Sequence, residues 1–315
     1  MNCQHHQLAP RRPSRSGFTL VELLAVIVVM SILIALLLPA IQGVRNKAAV
    51  VQVRSEISSL ETAITNFKTD FGIDPPSGIV LHEVGANWNS TNANTVRSRA
   101  LIRQMWPQFD FTLDRDINQD GDANDTFELG GAECLVFFLG GILQWNDANG
   151  NTTRDLGGQK EDQWIPNGFS KNPMNPFALG GNRQGPYYQF EVSRMIASPL
   201  TATAPAIANP NFYGYADAFS GQQSPMIYLS SYDGRGYRLT DLGSGGLVDY
   251  YRQGTTANSP AWNPKKYQII SPGRDGRYGQ GGPWLLDKAS SLLVGDRAVE
   301  EDNVTNFSQT VLIGR

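Results

Sequence analysis

Between Asp116 and Asn124 the chain reads Asp-Ile-Asn-Gln-Asp-Gly-Asp-Ala-Asn. Side-chain oxygens fall at the first, third, fifth and ninth positions, with glycine sixth. An EF-hand-type loop draws its calcium ligands from this spacing and uses the sixth-position glycine for its sharp turn. The match stops before the twelfth position, where Phe127 stands and Glu128 follows one residue late. Asp116, Asn118 and Asp120 are therefore candidate calcium ligands, and a hydrated Asp/Asn loop is the alternative. Asp114, Asp116, Asp120 and Asp122 repel one another without a cation, which favours calcium.

Another carboxylate stands where charge is costly. Phe18 to Leu38 is a run of 21 residues whose apolar character only Thr19, Glu22 and Ser31 interrupt. As a helix it spans about 31 Å, matching a hydrocarbon core of about 30 Å. An ionised side chain in such a span costs about 2.5–3.5 kcal/mol at the centre, so Glu22 calls for a partner. Arg11, Arg12 and Arg15 precede the run, and basic flanks stay cytoplasmic, so the segment after Leu38 is predicted to be exported. The run exceeds the apolar stretch of an ordinary secretory signal and no small-residue cleavage site follows it, so the helix should stay attached.

Other chemistries are poorly supplied. The three histidines include His5 and His6 near the start, leaving His82 alone in the body of the chain. His82 reads as a loop or surface residue beside Glu83. Cys134, within Cys-Leu-Val-Phe-Phe-Leu, reads as a small buried hydrophobe. A Cys/His metal cluster cannot be built from this set, and neither a nucleophile-elbow nor a phosphate-loop motif is present. The chain carries 26 basic and 29 acidic residues. Loss of the three leader arginines would move the net charge from −3 to about −6, which argues against nucleic acid as a partner. No enzymatic activity is expected.

The elements that would carry these residues follow from periodicity. Beyond Pro39 the helical pattern becomes amphipathic, with Ile57, Leu60, Ile64, Phe67 and Phe71 on one face. Gly72 and Asp74-Pro75-Pro76 end it. An exported apolar stripe needs cover, so a sheet should pack on it. Helices are expected at Val96–Met105 and Ala132–Leu143, and strands at Tyr187–Val192, Met226–Ser230 and Tyr267–Ile270. Ala197–Pro210 is the candidate mobile loop. Asp233-Gly234-Arg235-Gly236 reads as a turn. The expected divisions are a leader at 1–17, a transmembrane helix at 18–38, its amphipathic continuation at 39–71 and one loop-rich head at 72–315.

Gly17-Phe18-Thr19-Leu20-Val21-Glu22, after a basic leader and before an apolar helix, resembles the N-terminus of type IV pilins and type II secretion pseudopilins. Phe67 to Pro76 likewise resembles the helix end of the major pseudopilins. The resemblance implies an α+β pilin-like fold, with a long N-terminal helix packed on a C-terminal antiparallel sheet. It implies cleavage between Gly17 and Phe18 by a prepilin peptidase and methylation of the Phe18 amine. Glu22 would then meet the Phe18 amine of a neighbouring subunit, and Pro39 would stand at the family's helix-kinking proline. The function implied is a structural subunit of a periplasmic filament for type II protein secretion, a single-pass inner-membrane protein with its N-terminus cytoplasmic. Its partners would be other pseudopilin subunits, an inner-membrane platform and a secretion ATPase.

Ile269 to Gly279, with Glu300 to Phe307, resembles the region where major pseudopilins bind calcium on a Gly/Asp loop. Asp275 and Asp302 match its acidic positions by context, with a longer spacing between them than in the family. Ordinary turns are the alternative, since Asp-Gly is a common turn pair. The large head leaves two other functions open. One is a minor tip subunit, or a type IV pilin for adhesion or DNA uptake. The other is a membrane-anchored sugar-binding or hydrolytic head.

Overall fold

The computed structural model describes residues 19–146, 163–197, 212–243, 246–286, 293, 297–308 and 311–312. Gly17 and Phe18 lie outside them, as does the expected mobile loop beyond Ala197. Two compact units divide at Ala48 and Ala49.

In the first unit the helix α1 (Leu20–Phe71) begins. It is long and apolar enough to cross a membrane, and its large apolar side chains from Leu20 to Leu38 are exposed. The helical run continues through Pro39.

In the second unit, Val53, Ile57, Leu60, Ile64, Phe67 and Phe71 are buried at alternating steps of four and three. That spacing keeps one stripe on one face, as the periodicity predicts. Gly72 ends the helix with φ +77° and donates its N–H to Lys68 O at 2.8 Å. Glycine adopts this left-handed geometry without a Cβ penalty. Lys68 Nζ then ties the exit by reaching Asp74 at 3.1 Å and Asp233 at 2.6 Å.

The head continues as β1 (Ile79–His82), α2 (Ala93–Met105), β2 (Thr126–Leu129) and α3 (Gly131–Gly140). The ribbon strands β3 (Leu143–Asn146), β4 (Gln163–Pro166), β5 (Phe169–Ser170) and β6 (Arg183–Gln184) follow. Then come β7 (Met195–Ala197), β8 (Tyr213–Tyr215), β9 (Ile227–Ser230) and β10 (Arg252–Gln253). The last described strands are β11 (Tyr267–Ser271), β12 (Pro283–Trp284) and β13 (Val304–Thr305). Among the described strands the largest sheet is antiparallel, in the order β13-β11-β9. β1 and β2, separated in sequence by α2, pair antiparallel with His82 opposite Thr126.

Alternation along β9 and β11 serves two cores at once. Tyr228, Tyr267 and Ile269 join the α1 stripe, α3 and Trp88 in the larger cluster. Ile227, Leu229 and Ile270 point the other way, onto Tyr251, Tyr278, Trp284 and Leu312. A sheet covered on both faces explains why these strands read as nearly continuous apolar runs. The architecture is α+β and pilin-like, with the helix stripe and the C-terminal antiparallel sheet sharing one core.

Three local expectations are corrected. Tyr187–Val192 is not a strand: the amides of Tyr187 and Tyr188 both donate to Leu139 O, at 2.7 and 3.2 Å, at the end of α3. The expected Ala132–Leu143 helix ends at Gly140, because Gly141 takes φ +83° and lies against Gly168. His82 is buried rather than superficial. Its Nδ1 bonds Thr126 Oγ1 at 2.9 Å, its Nε2 bonds Thr95 Oγ1 at 3.0 Å, and its ring stands edge-on to Trp88.

Candidate functional site

The helix terminus is built by Thr19 and Glu22. Thr19 N and Oγ1 donate to Glu22 Oε2 at 2.9 and 2.7 Å, and Glu22 N donates to Thr19 Oγ1 at 3.3 Å. This reciprocal pair is a capping box, which satisfies amides that a helix start leaves open. The Glu22 carboxylate thus has a partner in its own chain and remains exposed.

The acidic loop is organised from beneath by a residue that local spacing does not reveal. Glu83, immediately after β1, is fully buried. Its Oε1 accepts from Ile117 N at 2.6 Å and Asn118 N at 3.3 Å, and its Oε2 accepts from Asp125 N at 3.0 Å. Above it run turns in steps of two. Asn118 Oδ1 accepts from Asp120 N, Asp120 Oδ1 from Asp122 N, and Asp122 Oδ1 from Asn124 N, at 3.1–3.2 Å. Gly121, at φ +106°, donates its N–H to Asp116 Oδ2 at 3.0 Å.

The electrostatics of this loop favour a counter-ion. Burial pushes the Asp116 carboxyl up, and burial with the charges of Asp120 and Asp122 pushes Asp125 to about 6. Burial raises Glu83 to about 7 against the pull of its three backbone donors. Ligand oxygens of Glu83, Asp122 and Asp125 lie within 4.8 Å of one another. Asp116 Oδ1 is buried without a hydrogen-bond partner among the described residues. An all-oxygen donor set with an orphaned carboxylate oxygen fits a hard cation such as calcium. Asp116, Asn118 and Asp120, the residues the spacing singles out, lie along this loop, but the carboxylates whose oxygens converge are Glu83, Asp122 and Asp125. Asp125 stood at the tenth loop position, whereas Glu83 arrives only through the pairing of β1 with β2.

Asp275 and Asp302 also come together. Asp302 Oδ2 accepts from Arg274 N at 2.8 Å and Asp275 N at 3.1 Å, and Asp275 Oδ1 accepts from Arg277 N at 2.8 Å. Gly273 takes φ +69°, and a Cβ there would fall 2.5 Å from Asp302 O. Burial, and then the charge of Asp275, raises the Asp302 carboxyl.

One exposed apolar helix, opened by a Thr–Glu capping box and followed by an α+β head, defines a membrane-anchored protein of pilin-like architecture. The model of the prokaryotic N-terminal methylation motif matches residues 12–38. The type II secretion system core protein G of Klebsiella pneumoniae is 30% identical over 140 residues, covering 44% of this chain and 94% of that protein. The core protein G of Klebsiella michiganensis is 45% identical over 60 residues, covering 19% of this chain and 42% of that protein's length, less than half. That of Vibrio cholerae is 26% identical over 118 residues, covering 37% of this chain and 80% of the relative. No solved structure matches the chain. The chain belongs to the type II secretion pseudopilin family, and is a pseudopilin subunit.

Proposed function

We propose that this pseudopilin polymerises through its N-terminal helix into a periplasmic filament for type II protein secretion. The observation that carries the reading is the exposed apolar surface of α1 from Leu20 to Leu38, with Glu22 its only charge. In a membrane that surface faces lipid; in a filament, the same surfaces of neighbouring helices can bury one another. Residues 1–17 are the leader removed by a prepilin peptidase, 18–38 the span, 39–71 its continuation and 72–315 the periplasmic head. Cleavage between Gly17 and Phe18 frees an amine, which is then methylated, and Glu22 sets axial register against that amine on the next subunit. Pro39, which has no N–H to give the preceding turn, is where α1 can adjust in the assembled core. A membrane platform and a secretion ATPase supply the driving force. The role is structural rather than enzymatic.

The same reading gives the head a calcium ion at Asp116, Asn118 and Asp120, with Asp125 completing the loop and Glu83 fixing its backbone. Asp275 and Asp302 are proposed as a second, family-type position. More than half of the chain lies outside the alignment with the Klebsiella pneumoniae relative, although that alignment takes in 94% of the relative. This supports a second reading, a minor subunit at the filament tip. Quantitative mass spectrometry of filaments separates the two: near-stoichiometric chain supports the major subunit, and scarce chain beside an abundant smaller pseudopilin supports the tip.

A further inference from the structure

Between Glu22 and Glu56 the sequence has no acidic residue, and the first charges met after Glu22 are Arg45 and Lys47. Both belong to the exposed surface of α1, and neither forms an ion pair or hydrogen bond among the described residues. They lie beyond the segment matched by the methylation motif. We propose that Arg45 and Lys47 form a cationic collar that binds the phosphates of anionic phospholipid headgroups where α1 leaves the membrane.

Three features point to a lipid surface. The first is height. Arg45 and Lys47 follow Leu38 by seven and nine residues, about 10–14 Å along the helix. Headgroup layers add about 5–8 Å beyond each face of the hydrocarbon core. Long basic side chains bend back towards that layer with their stems on apolar surface, which Ile41 and the strongly exposed Val44 supply here. The second is direction. Two residues apart on a helix means about 200° around the axis, so the two cations leave opposite sides at nearly one level. A single protein partner would cover one face, whereas a membrane plane surrounds the helix. The third is charge. Once the leader arginines are gone the chain is strongly net negative, yet this one level of the helix carries only positive charge. The collar lies at the end of the span opposite Glu22. It rests on the membrane-anchor reading but not on filament assembly.

The test uses the full chain and its Arg45→Gln/Lys47→Gln variant in nanodiscs of equal parts phosphatidylcholine and phosphatidylglycerol, read by native mass spectrometry of retained lipids. Each basic residue near an anionic surface contributes selectivity of about fivefold. Wild type should therefore retain phosphatidylglycerol preferentially, and the double variant should lose that preference, with unchanged circular dichroism. High salt should weaken the preference, and inorganic phosphate should not displace the lipid. Carbonate extraction of both proteins comes first: their release from membranes would refute the anchor itself, separately from the collar. A wild type that retains the two lipids in bulk ratio overturns the proposal, as does a variant equally selective or lipid displaced by inorganic phosphate. If the variant instead loses subunit cross-linking at unchanged lipid selectivity, the cations face a neighbour's carboxylates, and the collar is refuted.

Discussion

Glu83 and Asp125 hold each other through two hydrogen bonds in opposite directions. Asp125 N donates to the Glu83 carboxylate at 3.0 Å, and Glu83 N donates to the Asp125 carbonyl at 3.0 Å. The β1–β2 pairing thus ends in a reciprocal lock between the last residue before one loop and the last residue of another. Arg115 N adds a bond to Glu83 O at 2.9 Å, so both entry and exit of the acidic loop are fixed by one residue. A loop held at both ends keeps its carboxylates gathered, where an unrestrained loop would let them separate.

Removing this lock should loosen the loop without dissolving the head. Glu83→Ala leaves three buried amides without their acceptor, at about 1–3 kcal/mol for an unsatisfied buried group. Glu83→Gln retains one acceptor oxygen and should cost less. Urea unfolding of the detergent-solubilised chain measures both; equal stability of Glu83→Ala and wild type would contradict the lock.

Calcium should raise the melting temperature of the chain and magnesium should do less, since magnesium demands a tighter octahedron. A hundredfold excess over Kd corresponds to about 2.7 kcal/mol. Asp116→Asn/Asp120→Asn should remove most of the response if the acidic loop is the stronger position, and Asp302→Asn most of it if the C-terminal turn is. Coincident melting curves with calcium, magnesium and chelator would mean that both are solvated turns.

The α1 stripe, β9 and β11 were legible because their burial is periodic. Ile57 to Phe71 repeats at helical steps, and strands apolar on both faces keep their type wherever they pack. The acidic loop was legible from its spacing, but the part of Glu83 in it was not, since only strand pairing joins the two. Tyr187, Tyr188 and Phe190 have strand-forming side chains, but two of their amides serve the end of α3 instead. Strand propensity depends on tertiary neighbours in this way. His82 looked superficial because one polar side chain carries no sign of the two threonines that satisfy it.

The helix and the rest of the second unit are clamped by Arg194, which forks onto both Glu56 oxygens, donates to Ala216 O at 2.7 Å and lies over the Tyr215 ring. Both side chains are mostly buried. Arg194→Ala should cost about 3 kcal/mol, the lower end for stripping one partner from a buried pair. Glu56→Gln should cost less because it keeps one acceptor. Chemical denaturation gives both values, and a loss below the scatter of surface substitutions would show the clamp to be inert.

Asp217 gives the head a pH signature. It is 2% exposed, accepts from Ser271 Oγ and Phe219 N, and burial raises its carboxyl above the ordinary 3.8. Between 3.8 and the higher folded value, the folded chain holds a proton that the unfolded chain has released. Its contribution to stability is therefore complete at low pH and lost as pH rises through the folded value. Asp217→Asn removes that loss, so the melting temperature of the variant minus that of wild type should grow from pH 4 to pH 7. A constant or shrinking difference would contradict the assignment.

Glu22 should be dispensable for insertion and required for assembly. Glu22→Val makes the span more apolar, so the chain should still enter the membrane, but it loses both the cap and the amine partner. Thr19→Val breaks the cap and leaves the carboxylate, and it should still assemble. Filaments from Glu22→Val, seen by electron microscopy of sheared cells, would show that the carboxylate has no partner in a neighbour.

A processed subunit inside a filament can be tested for processing and for assembly in one experiment. Filaments sheared from cells that express the chain with its secretion machinery are purified and their N-terminal peptides are sequenced by mass spectrometry. The expected peptide begins at N-methylated Phe18, with residues 1–17 gone. A filament fraction without this chain, or a chain in it that begins anywhere else, would overturn the reading of a processed filament subunit.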